Sequence, residues 1–426
     1  MLAGEARLLG CHNAAVTSTE VLVVGAGPAG SAAAAWAARA GREVLLIDAA
    51  EFPRDKTCGD GLTPRAIAQL QELGMQDWLA SRPRNLGIRM LGFGGSHELA
   101  WNGPTLPRFG SAAPRAELDD ALRRVAIDSG AAFRGGLRAI DARRDADGTV
   151  AAVVVRGAGG VEEIACRHVI VADGVRSPLG RALGRAWHRD TVYGIAARAY
   201  VASAQHEDAW ITSHLELVDS SGVTVPGYGW IFPLGDGRVN LGVGSLATDA
   251  RHGDVNLHAL LQVYATRQRE EFGLGVDVES LSSAMLPMGG AVSGVAGPNW
   301  RCIGDAAACV NPLNGEGIDY GLETGRLAAD TLEVPDVTEV WPALLREHYG
   351  DTFSIARRLA GLLTHDRFLP TVGPIAMRSS ALMGIALRVM GNLVTDDDAD
   401  VIARLWRGAG RASRRIDARE PWASAP

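Results

Sequence analysis

Gly25, Gly27 and Gly30 stand in G-x-G-x-x-G spacing, and Asp48 follows 18 residues after the last of them. Glycines so placed let a chain turn tightly, bring bare backbone up to a pyrophosphate, and seat a helix close against a sheet. Pro28 and Ala29 lie within the motif ahead of that helix, whose free N–H groups and positive dipole end suit phosphate oxygens. Asp48, followed by Ala49, falls where a carboxylate accepts a ribose hydroxyl. The implied chemistry is dinucleotide binding, against a glycine turn with only a structural role. The fingerprint by itself does not separate FAD from NAD(P).

Four further groups carry possible chemistry. Gly304-Asp305 precedes a glycine-rich loop, Pro312 through Gly315 to Gly317, and a helix from Ile318 whose N-terminus can stabilise negative charge. Asp305 as a simple cap is the alternative. Cys58-Gly59-Asp60-Gly61 forms a tight turn just after the strand that ends on Asp48; the alternative is a connector with an incidental cysteine. Tyr228, Trp230 and Phe232 share one strand face at period two, although aromatics are only 6% of the chain. They make either an aromatic wall for an apolar ligand or a face packed on a helix. Arg115 sits in the first turn of a helix from Pro114 to about Ser129, where the dipole disfavours a cation. A phosphate neighbour accounts for it; a solvated arginine is the alternative.

The elements that must position these residues follow from pattern. Val21–Val24 is an apolar run suited to a doubly buried strand, Ser31–Ala40 an alanine-rich helix ended by Gly41, and Val44–Ile47 a second strand. Residues 86–110 alternate like a hairpin in a separate sheet. Val169–Val171 ends at the Asp173-Gly174 turn, and Ser177-Pro178 is placed to cap the next helix. Tyr193–Gly244 is strand-rich without helical spacers, which predicts antiparallel sheet. Gly242–Ala247 mimics G-x-G-x-x-A but lacks a following strand and acid, so no nicotinamide domain is expected. From Leu327 the pattern is helical; Ala376–Val394 reads as one core or interfacial helix, and Arg404, Arg407, Arg411, Arg414 and Arg415 as a basic tail.

Composition bounds the rest. The 426 residues allow two or three domains, and 47% hydrophobic with 21% charged residues marks a globular chain. A net charge of -7 argues against nucleic acid as partner. The five cysteines at 11, 58, 166, 302 and 309 form no C-x-x-C and no zinc quartet, which predicts no metal site and a reducing, cytoplasmic setting. Residues 1–18 show no signal-peptide pattern, and the uncharged Val21–Ala38 is strand plus helix rather than a span.

GAGPAG with Asp48, the Asp173-Gly174 turn and Gly304-Asp305 with its loop resemble the hydroxylase-type FAD fold. The C-G-D-G turn and P-x-x-Y-x-W-x-F-P strand resemble the geranylgeranyl reductase family, nearest its bacterial menaquinone reductases. That resemblance implies an α/β fold: an FAD-binding Rossmann-like domain (19–85, 111–185 and 285–330), an antiparallel-sheet substrate domain (86–110 and 186–284) and a helical C-terminal region (331–426). It implies FAD held by the residues named above together with Ala139, and a polyprenyl substrate held by Tyr228, Trp230 and Phe232, with Cys58, Tyr228 and Trp230 at the reacting bond. The implied activity is saturation of an isoprene double bond, that of menaquinone's β-isoprene unit or of a geranylgeranyl lipid. An external electron donor and attachment to the inner face of the cell membrane go with it. An aromatic or polyketide monooxygenase, and a non-enzymatic flavin or lipid carrier, share the flavin motifs.

Overall fold

The computed structural model describes residues 18–250, 256–365 and 367–423. Cys11, the N-terminal stretch read for a signal peptide, and residues 251–255 of the segment after Ala247 lie outside the described residues.

An eight-stranded sheet carries the first motif. Its path runs Ala296–Gly297, Trp300–Cys302, Gly160–Val171, Ser18–Val24, Val44–Ile47, Ala132–Arg134, with Val150–Gly157 folded back antiparallel on Gly160–Val171 and Arg138–Arg144 antiparallel on Val150–Gly157. Ser18–Val24 pairs in parallel with both Val44–Ile47 and Gly160–Val171, so it is central. Val21–Val24 and Val44–Ile47 are fully buried, as a strand covered on both faces requires. The Pro28–Arg39 and Ile318–Asp330 helices cross over this sheet in close contact. Small residues make the crossing possible. A β-carbon on Gly325 would lie 2.6 Å from the Ala29 carbonyl oxygen. Both helix N-termini are thereby brought beside one another.

A seven-stranded sheet holds the aromatic strand. Its order is Glu279–Pro287, Tyr193–Ala202, Arg238–Ala247, Gly227–Pro233, Trp210–His214, Gly87–Gly92, Gly95–Ala100. It is antiparallel but for one pair, Trp210–His214 with Gly87–Gly92, which run parallel. More than a hundred residues separate those two strands in sequence, so no hairpin constrains their direction. Gly242–Ala247 lies inside one of these strands, not in a phosphate turn.

The stretch read as a helix over Ala376–Val394 is helical only over Ser380–Met390, its first residue ending an earlier helix. Phe368–Ala376 and Ser380–Met390 are separate helices, and Ser379 caps the second by accepting from Leu382 N–H. The arginine tail is a helix, Val401–Arg414, with Arg407 and Arg414 folded inward onto the chain: Arg407 donates to the Thr395 and Asp398 carbonyls, Arg414 to that of Arg346. Among the described residues no helix is long and apolar enough to cross a membrane.

Candidate active site

One continuous cavity of about 1510 Å³ runs between the two sheets. Pockets for single small ligands are roughly 300–1,000 Å³, so this one has room for a dinucleotide and a second ligand. Every residue assigned to the site by sequence lies on its wall except Gly30. Gly30 instead packs into the turn: a β-carbon there would lie 1.7 Å from the Gly25 carbonyl oxygen and 3.1 Å from Ala172 Cβ. Gly25 has φ +105°, and its β-carbon would strike the Ala172 carbonyl oxygen at 2.3 Å. A β-carbon on Gly27 would meet only side-chain ends at van der Waals distance, Arg54 Nη2 at 3.6 Å, Arg115 Nη2 at 3.8 Å and Asp119 Oδ2 at 4.0 Å.

Asp48 does more in the turn than predicted. Its Oδ2 accepts from Ala26 N–H and its Oδ1 from Ala50 N–H, each at 2.8 Å. It thus braces the turn while still lining the cavity. Arg115 is buried, and its pairing is internal: Nε and Nη2 donate to both oxygens of Asp119 one helical turn on, each at 2.7 Å. That pair offsets the dipole mismatch without any ligand. Arg54 adds a second cation on Asp119. Asp173, not the Ser177 side chain, caps the helix at Pro178. It accepts from Ser177 Oγ at 2.5 Å and from Leu179 N–H at 2.9 Å, and Ser177 itself is left-handed at φ 34°.

At the second motif, Lys56 Nζ contacts Asp305 Oδ2 at 2.9 Å. Burial alone would raise the Asp305 carboxyl, but Lys56, Arg115 and Arg185 outweigh it and hold it below the usual range. Asp305 lies against the loop end: a β-carbon on Gly317 would sit 3.2 Å from Asp305 Oδ1. Cations at 54, 56 and 115, two helix N-termini and the bare backbone of Gly27 fit an anionic dinucleotide.

The C-G-D-G turn and the aromatic strand, distant in sequence, meet. β-carbons on Gly59 and Gly61 would lie 3.4 and 3.1 Å from the Phe232 ring. Tyr228, Trp230 and Phe232 stack along one face with ring centroids 5.8 and 6.3 Å apart. The Trp230 indole lies over Gly242, where a β-carbon would clash at 2.0 Å. Its Nε1 donates to Asn240 Oδ1 at 2.8 Å, and Asn240 Nδ2 donates to the Cys58 carbonyl and to Asp60 Oδ2, also at 2.8 Å. One amide therefore ties wall to turn. Tyr228 Oη donates to the Asn314 carbonyl in the second glycine loop at 2.6 Å.

Asp60 is fully buried at φ 61°, receives Tyr200 Oη at 2.7 Å, and leaves Oδ1 without a partner. Burial raises it to about 6, although Tyr200, Asn240, Arg198 and Arg115 favour its charged form. A raised carboxyl contributes stability that is complete below the ordinary value of 3.8 and is lost as pH climbs through about 6. Asparagine tolerates the left-handed backbone and carries no charge. Relative to Asp60→Asn, the native protein is therefore expected to lose on the order of 3 kcal/mol across that window. Urea unfolding of both at a series of pH values measures it; a gap independent of pH would refute the account.

Cys58 and Glu316 also face the cavity. Burial pushes the Cys58 thiol up, and although Arg115 opposes this it remains a thiol near neutrality. Glu316, inside the second glycine loop, is raised by burial and then by Asp319, and its Oε2 has no partner. Glu316, Lys56, Tyr200, Arg198 and Asn240 escaped the sequence reading. Asn240 had a signal: an amide inside the apolar run RVNLGVG must be hydrogen-bonded once buried. Among the described residues no cluster of side chains suited to a metal ion occurs.

The FAD binding domain family matches residues 18–332. Menaquinone reductase of Mycobacterium tuberculosis H37Rv is 60% identical over 405 residues, covering 95% of this chain and 98% of the relative. Digeranylgeranylglycerophospholipid reductase 1 of Methanopyrus kandleri is 32% identical, covering 81% and 90%. The crystal structure of a geranylgeranyl bacteriochlorophyll reductase-like protein from Thermoplasma acidophilum superposes with a TM-score of 0.73 at 21% identity, over 91% of this chain and 98% of that one, a likeness of fold. The chain belongs to the FAD binding domain family and, within it, to the menaquinone reductases, as an FAD-dependent oxidoreductase.

Proposed function

We propose that this protein saturates one isoprene C=C bond of a polyprenyl chain, that of the β-isoprene unit of menaquinone. The observation that carries this is the contact of the C-G-D-G turn with the aromatic wall inside the FAD cavity; the identity to menaquinone reductases supports the headgroup. FAD, reduced by a diffusing external donor, supplies hydride at one alkene carbon when bound.

The chain's own residues do the rest. Gly25, Gly27, Pro28, Ala29, Asp48, Ala49, Arg115, Ala139, Asp173, Asp305 and the Pro312–Ile318 loop hold the cofactor, with Lys56 setting the charge of Asp305. An isolated alkene has no carbonyl to accept charge, so the electron-rich faces of Tyr228, Trp230 and Phe232 bear the developing cation and exclude water. Cys58 Sγ holds a proton at the same wall. The substrate's tail is drawn from the bilayer, and the protein works in the cytoplasm as a peripheral protein on the inner face of the cell membrane.

Anaerobic incubation of holoenzyme, chemically reduced, with menaquinone tests this. The expected product is heavier than the substrate by one pair of hydrogens. Product that forms only with O2 and carries an added oxygen would make the protein a monooxygenase instead. No conversion of quinone but conversion of a geranylgeranyl lipid would move the substrate to that class.

A further inference from the structure

The paired helices Phe368–Ala376 and Ser380–Met390 show two opposite apolar faces. Inward, Leu369, Leu387 and Met390, with Leu363 from the preceding helix, line the cavity. Outward, Val372 is 41%, Ile375 62%, Leu382 50% and Ile385 44% exposed. From Arg367 to Val394 there is no acidic residue. The three arginines in that stretch divide sharply. Arg388 is buried between Asp398 and Asp400, whereas Arg367 and Arg378 are exposed beside the apolar face. The pair is anchored underneath on the Gly87–Ala100 hairpin: His97 Nε2 bonds the Met377 carbonyl at 2.8 Å and Asn102 the Gly384 carbonyl at 3.1 Å. Its outer side is therefore presented rather than packed.

We infer that this helical pair is the membrane-docking surface of the protein, seated on an anionic lipid bilayer. The inference rests on the proposed function for its biological sense but not for its geometry. Exposed aliphatic side chains flanked by arginines, with no carboxylate from Arg367 to Val394, are complementary to acyl chains under anionic headgroups. Continuity with the cavity is the second argument. The same two helices form a wall of the cavity, so only their thickness lies between the bilayer and the substrate space. A polyprenyl chain then passes from lipid to the aromatic wall without crossing water. The arginines of the Val401–Arg414 helix, the more obvious electrostatic candidates, are in part spent on backbone carbonyls.

The test uses purified, FAD-loaded full-length protein and quinone-free vesicles, so that binding is read independently of turnover. Co-sedimentation is expected with vesicles of phosphatidylcholine mixed with phosphatidylglycerol, and more weakly with phosphatidylcholine alone. Ile375→Asp with Leu382→Asp should lower partitioning about a hundredfold, with flavin content, melting temperature and turnover of detergent-dispersed quinone unchanged. Arg367→Gln with Arg378→Gln should weaken binding by about tenfold on the anionic vesicles only. A photoactivatable phospholipid keeps the question open to the native chain: adducts should fall in the peptide from Arg367 to Arg388. Binding unaffected by the aspartates, or adducts on the Val401–Arg414 helix instead, overturns the inference. So does a shift from dimer to monomer in the aspartate variant without vesicle binding by the native protein, which would make the face a contact between copies.

Discussion

Trp230→Ala is expected to lower turnover of a polyprenyl substrate by about a hundredfold while FAD content stays near native. The indole fills the space above Gly242 and Gly244 and stands between Tyr228 and Phe232. Its removal opens a void on the wall proposed to hold the double bond, and misplacement of a reacting bond by about 1 Å costs on that scale. It also strands the Asn240 carbonyl oxygen, which received the indole N–H, and so loosens the amide that holds the Cys58 carbonyl and Asp60. The glycine turn at Gly25 and the Asp305 region, proposed to hold the flavin, are built on other elements. Rapid-reaction kinetics separate the effects: hydride transfer slows, while flavin absorbance per chain does not change. Phenylalanine at 230 restores the bulk without the hydrogen bond, so a Trp230→Phe variant that matched the native enzyme would reduce Asn240 to a bystander.

Gly30→Val is expected to yield protein depleted of flavin, with affinity for FAD weaker by about a hundredfold. The added β-carbon meets the Gly25 carbonyl at 1.7 Å and Ala172 at 3.1 Å. Neither is the movable end of a side chain, so the turn or the helix must shift, at about 1–3 kcal/mol for overpacking and more where backbone blocks relaxation. Each 1.4 kcal/mol is about tenfold in affinity. Gly41→Ala is the control: its φ of +81° strains the backbone, but nothing lies within 4 Å. It should lose a little stability and keep its flavin. Flavin per chain after gel filtration reads both.

The difference between what the sequence reveals and what it hides follows from how each residue is constrained. Gly25, Gly27 and Gly30 answer to local rules of φ and close approach, so spacing alone exposes them. The aromatic strand is legible because its period is two. Asn240 and Tyr200 reach Asp60 only because Tyr193–Ala202 pairs with Arg238–Ala247 in one register, Tyr200 opposite Asn240. No local pattern contains that register. Lys56 meets Asp305 across 249 residues. The Arg115–Asp119 pair is within reach of the sequence, since Asp119 lies one helical turn on and answers to the i,i+4 rule.

The Asn240 amide also bears on how the enzyme can be altered. Since it joins Trp230, the Cys58 carbonyl and Asp60, a change to any of these is felt by all three, and single substitutions there break the centre before they retune it. The stretch of cavity wall beside Phe232, at Ile88, Met90, Ile211 and Leu387, is lined by aliphatic side chains that carry no hydrogen-bond obligation. Evolution and the engineer alike have freedom there. Tail length and branching should drift through that stretch, one methylene at a time, while the reactive centre is inherited as a block.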